Sequence, residues 1–134
     1  MDDVLKEFAG FGEFLDGIGS LHQMAVDKVH ASLVHSTILA SKPERVLELG
    51  IGSGLLSFSI LHALKYNQRG HLVSVDNWRD FEGGGYPWVE SSSTDRGEPA
   101  HISGLRKFGA ERLDVMVADE REFVEKCQPH SFDI

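Results

Sequence analysis

The chain has 134 residues, a formal charge of −8, 41% apolar side chains and one cysteine, Cys127. That size and composition fit a single globular domain, 1–134, and the lone cysteine excludes an internal disulfide. The acidic balance, with Arg106-Lys107 as the only adjacent basic pair, argues against nucleic acid as a main partner, and no window is apolar enough to span a membrane.

The Met-Asp-Asp start lacks the basic region of a signal peptide, so a cytoplasmic protein is expected. Residues 2–16 read as a helix, because Val4, Phe8, Phe11 and Leu15 recur at helical spacing; Gly10 and Gly12 weaken it. A break at 17–20 precedes a second helix over 21–40, with Val26, Val29, Leu33, Thr37 and Leu39 as its apolar stripe and Pro43 beyond its end. The N-terminal helices therefore occupy 1–42. His30 and His35 are five apart and do not share a helix face, so they read as surface or interface histidines rather than a metal pair. His22 and Gln23 either open the second helix or touch the amino-acid part of a ligand.

Residues 46–49 form a short apolar run interrupted by Glu48, and Gly50, Gly52 and Gly54 follow at alternate positions. A helical pattern starts at once. Leu56, Ile60, Leu61 and Leu64 share a face, Ser53 is placed to cap the first turn, and the helix ends near Tyr66 before a turn at 67–70. Strand, glycine turn and helix open a βαβ unit, in which glycine admits a ligand close to the backbone and the helix start offers free N–H groups. A dinucleotide-binding turn would place its third glycine at position 55, which is Leu55. The second strand, 71–75, ends on Asp76. Ligands of parallel α/β sheets lie across the carboxyl ends of the strands, where such a carboxylate can accept both hydroxyls of a ribose. Asn77 and Trp78 follow, and Trp78 offers a flat face either to adenine or to the sheet edge.

Residues 77–99, rich in glycine and serine, read as a flexible loop that either covers a small substrate with Tyr86 and Trp88 or is simply surface. A helix over 98–108 carries Ile102, Leu105 and Phe108 on one side, His101 near its start and Gly109 as its stop. The third strand, 113–117, leads through Asp119 into a helix over 120–127, for which Asp119 is a candidate N-cap.

The pattern Glu48-x-Gly50-x-Gly52-x-Gly54, with Asp76 and Asp119 at the next two strand ends, resembles the class I S-adenosylmethionine (SAM) dependent methyltransferases. In look it is nearest to the small-molecule O-methyltransferases of the catechol and macrocin type. The resemblance covers about 21–134 and implies an α/β, Rossmann-like parallel sheet. It implies that Gly50, Ile51, Gly52, Ser53 and Gly54 admit the methionine portion and sugar, that Glu48 holds the turn and contacts the amino group, that Asp76 binds ribose with Asn77 and Trp78 alongside, and that Asp119 binds adenine. The implied cofactor is SAM and the implied partner a small-molecule methyl acceptor; a homo-oligomer is compatible with it. No catalytic residue is assigned, and His101 reads as a helix-start residue before a base. No metal ligand is named, because the family's metal aspartate lies at the end of the fourth strand and Asp133 stands at its beginning. The family sheet has the order 3-2-1-4-5-7-6. This sequence supplies strands one to three and, at 131–134, the opening of the fourth, so a truncated N-terminal fragment, or a chain borrowing strands, is expected. Two other classes compete: a non-catalytic SAM- or nucleotide-binding module, and an NAD-dependent oxidoreductase, against which Leu55 and Glu48 argue.

Overall fold

A computed structural model describes residues 28–52, 54–77 and 100–134. Expectations that fall on 1–27, on Ser53 or on 78–99, including the first helix, His22, Gln23, Trp78 and the loop aromatics, lie outside the described residues. The order of elements is α1 (Lys28–Ser41), β1 (Arg45–Leu49), α2 (Leu55–Asn67), β2 (His71–Asp76), α3 (Ala100–Gly109), a 3₁₀ turn (Ala110–Arg112), β3 (Leu113–Val117) and α4 (Glu120–Lys126). The three strands form one parallel sheet in the order β1-β2-β3. The chain is thus α/β, with helices joining parallel strands as a right-twisted sheet requires.

Each strand is a run of five or six residues in which alternate side chains face opposite ways. Val46, Leu72 and Leu113 lie in register on one face. There they enter a single apolar cluster with Ile38 of α1, Ile60, Leu61 and Leu64 of α2, and Ile102 and Leu105 of α3. On the other face Leu49 and Met116 remain almost half exposed. α2 is the central helix and packs against α1, α3 and β2. That position explains why it buries Leu55, Ser57, Ser59 and Ala63 in addition to Ile60, Leu61 and Leu64 of its expected apolar face, while Leu56 of that face is only partly buried. Its far end closes on Gln68 in the left-handed conformation, and Gly70 (φ +95°) turns the chain into β2, where a Cβ would lie 2.5 Å from the Pro43 carbonyl oxygen.

Several expectations change in the fold. The stripe of the second helix is not Val29-Leu33-Thr37: Val29 is 76% and Leu33 65% exposed, and the packed face is Ala31, His35 and Ile38 with Val34 and Leu39 beside it. Apolar residues stand on both sides of this helix, so spacing alone does not choose the face that α2 covers. Gly54, in the left-handed conformation (φ +85°) and with no side-chain cap bond, stands at the N-cap of α2; the expected cap by Ser53 falls outside the described residues. Gly109 is not a left-handed stop. It is right-handed helical, and Ala110 (φ +45°) makes the turn. Gly109 is needed for packing, since a Cβ there would sit 2.6 Å from Leu113 Cβ.

His35 is buried rather than on the surface, and its Nε2 meets His62 Nδ1 across the α1–α2 contact at 3.0 Å. Burial, with the neighbouring His62 imidazole adding to it, pulls the His35 pKa down to about 4. In the unfolded chain the same ring protonates near its ordinary value of 6.5. Between these values the unfolded state binds the extra proton, so His35 costs stability progressively as the pH falls from 6.5 towards 4. Replacement by a neutral hydrogen-bonding residue, His35→Gln, is expected to flatten that acid limb. Urea denaturation midpoints of both proteins, measured through this pH window, check it; parallel curves count against the assignment.

Candidate functional site

The parallel arrangement brings three carboxyl ends to one edge of the sheet: Leu49 with its glycine turn, Asp76, and Val117 with Asp119 beyond it. The turn is possible because Gly50, Gly52 and Gly54 all take φ values between +53° and +85°, a region that L side chains rarely enter. Backbone bonds stitch the edge together. Gly50 N donates to Val75 O at 2.8 Å, Gly54 N to Ile51 O at 2.9 Å, and Ala118 N to Asp76 O at 3.3 Å.

Asp76 is buried at this edge, and its Oδ2 accepts from two successive turn amides, Ile51 N at 2.7 Å and Gly52 N at 3.3 Å. Two converging N–H groups on one anionic oxygen form a backbone nest. Asn77 follows half-buried at the end of β2. Among the described residues Glu48 makes no hydrogen bond to the turn. It points into the face covered by α2, where its Oε2 accepts from Ser57 Oγ and Ser74 Oγ, both at 2.6 Å, while its Oε1 is buried with no partner. The family resemblance implied that Glu48 holds the turn; among the described residues it is Asp76 whose side chain bonds to it. Burial is the main cause that pushes the Glu48 pKa up to about 7; the two hydroxyls oppose the rise and the Asp76 charge adds to it.

Asp119 is exposed and caps α4, its Oδ1 accepting from Arg121 N at 2.9 Å and Glu122 N at 3.1 Å. The expected cap is therefore present, and the side chain stands at the correct edge of the sheet. Glu120 is the residue that sequence reasoning missed. A Cβ placed on Gly50 would lie 3.2 Å from Glu120 Oε1, so the start of α4 borders the turn. The available signal was its position, directly after the third strand end. At Gly52, by contrast, a Cβ would meet nothing within 4 Å among the described residues.

Trp78 and Ser53 lie outside the described residues, and the backbone of His101 falls in the first turn of α3. Among the described residues no three His, Cys, Asp or Glu side chains gather as a metal site, and no helix is long and apolar enough to cross a membrane. A cleft of about 340 Å³ between Pro43, Glu44, Arg69 and Asp133 lies at the amino end of β1, away from the turn. No protein-family model, curated protein or solved structure matches the chain.

A carboxyl with a raised pKa favours the folded state at low pH and loses that advantage as the pH rises through its folded value. For Glu48 the loss runs from its ordinary value of 4.5 to about 7. It opposes the His35 trend over most of the same range. Glu48→Gln keeps acceptors for both serines and removes the charge. It should leave stability near pH 4 little changed and raise it by about 3 kcal/mol above pH 7, the linkage value of a shift of this size. Denaturation curves of variant and wild type across this range decide it; a difference independent of pH sinks the reading.

Proposed function

We propose that the chain is a SAM-binding methyltransferase domain of the class I type, transferring a methyl group to a small-molecule acceptor, with oxygen the favoured acceptor atom. The observation that carries this reading is the convergence at one sheet edge of the open glycine turn with Asp76 and Asp119 at the ends of the next two strands. The residues fit the cofactor in two respects. A Cβ at Gly52 would meet no described atom within 4 Å, and the same sheet edge is lined by carboxylates, which suit a cationic sulfonium.

In this reading the bound cofactor supplies an electrophilic methyl group, and the protein's part is to hold donor and acceptor at reacting distance. Gly52 admits the ligand to the backbone, Asp76 stands where a ribose would lie, and Asp119 rims the adenine side while ordering the first turn of α4. Glu48 acts from behind. Its bonds to Ser57 and Ser74 join β1, α2 and β2 directly beneath the turn.

Calorimetric titration of the purified chain with SAM, S-adenosylhomocysteine and NADH tests the proposal. Binding of the first two and not of NADH is expected; selective binding of NADH overturns it. Gly52→Ala separates ligand approach from folding. With open space around the new Cβ, its stability cost should be that of a left-handed alanine, about 1 kcal/mol, while SAM affinity falls about tenfold or more. Equal affinity in the variant removes Gly52 from the site.

A further inference from the structure

The two amides that a phosphate would use are already engaged. In glycine-turn sites that bind nucleotides, successive N–H groups converge on an oxygen of the ligand. Here Ile51 N and Gly52 N converge instead on Asp76 Oδ2, at 2.7 and 3.3 Å. That carboxylate is 6% exposed, so it is a fixed part of the turn rather than a mobile surface group. Glu120 Oε1 adds a second carboxylate within 3.2 Å of where a Cβ on Gly50 would lie.

From this geometry we infer that Asp76 is the specificity-determining residue of the turn: its carboxylate fills the nest and excludes ligands that bring a phosphate to Ile51 and Gly52. A phosphate approaching the nest finds its donors taken and meets a like charge in a place shielded from water, where repulsion is strong. A ligand without phosphate needs neither amide, and a Cβ at Gly52 would meet no described atom within 4 Å. The inference deepens the proposed function, because it rests on the turn being the ligand site. It gives a physical reason why such a site takes a phosphate-free cofactor, beyond the spacing of its glycines.

The probe is inorganic pyrophosphate, titrated into wild type and Asp76→Ala by calorimetry, with the Ile51 and Gly52 amide resonances followed by NMR. Wild type should show no saturable binding and no movement of these two amides. The variant should gain pyrophosphate affinity by at least about tenfold, the effect of one charge-assisted hydrogen bond, with both amides shifting. Pyrophosphate binding to wild type at these amides overturns the inference, and so does a folded variant that binds no better. Should Asp76→Ala not fold, Asp76→Asn makes the same comparison, since it keeps a carbonyl acceptor in the nest and removes the charge. A smaller gain than tenfold, with the same amides moving, supports the assignment; no gain overturns it. SAM is titrated in parallel. Failure of SAM to bind while pyrophosphate behaves as expected defeats the cofactor reading and leaves the role of Asp76 standing.

Discussion

The carboxylate of Asp76 on the amides of Ile51 and Gly52 is the interaction on which the glycine-turn edge of the sheet depends. A turn built on three left-handed glycines has little preference for one conformation, and the unfolded chain gains most entropy at those positions. Something must select the observed shape. A buried anion accepting two N–H groups does so, because leaving either amide without a partner in a dry site costs about 1–3 kcal/mol. The bond also joins the end of β2 to the residues just past β1, adding a side-chain link to the backbone bond from Gly50 to Val75. Turn and sheet edge therefore form one unit.

Beneath that unit lies a second buried carboxyl. Glu48 concentrates two short hydroxyl bonds on one oxygen and leaves the other without a partner. An apolar side chain would fill this place between sheet and helix at lower electrostatic cost. The carboxyl binds Ser57 on α2 and Ser74 on β2 to β1 at once, which an aliphatic group cannot do. With its pKa near neutrality, the charge on Glu48 stays sensitive to whatever ionises nearby, and Asp76 is the acidic neighbour that already shifts it. The two carboxyls are thus coupled: one fixes the turn from the ligand side, the other braces the elements behind it.

Much of this was legible in the sequence. The three strands, the turn at Asn67-Gln68-Arg69-Gly70 and the capping by Asp119 follow from short apolar runs bounded by residues of strong local preference. The positive φ of Gly50, Gly52 and Gly54 follows from their spacing. What was not legible depended on choices between neighbours. Val29 and Leu33 are as apolar as Ala31 and Val34, and only the position of α2 decides which pair is buried. Gly109 looks like any helix-ending glycine until Leu113 Cβ is found 2.6 Å from where its own Cβ would be. Glu48 and Asp76 both stand at strand ends near the glycines. Which one reaches the turn is set by the strand register: Glu48 pairs with Ser74, so Asp76, two residues further on, lies past the end of β1 and level with the turn, which is not a property of the motif.

A similar device recurs at the other end of β1. Asp133 Oδ2 accepts from Glu44 N at 2.8 Å and Arg45 N at 3.0 Å, and those amides are the main reason its carboxyl is held below the ordinary range. Alongside it, Asp133 N donates to Arg45 O and Leu47 N to Ile134 O, so 133–134 runs parallel to β1 on the edge that β2 leaves open, where the sequence placed the start of a fourth strand. The bonding resembles that of Asp76, but the setting differs. Asp133 is exposed and water competes for every donor it meets, so its bonds guide the chain to the edge without fixing it. Asp76 sits where water is excluded, and the same two-amide contact becomes decisive there. Burial, rather than the number of hydrogen bonds, therefore separates the end of β1 whose turn is fixed by a carboxylate from the end where a carboxylate only joins the sheet.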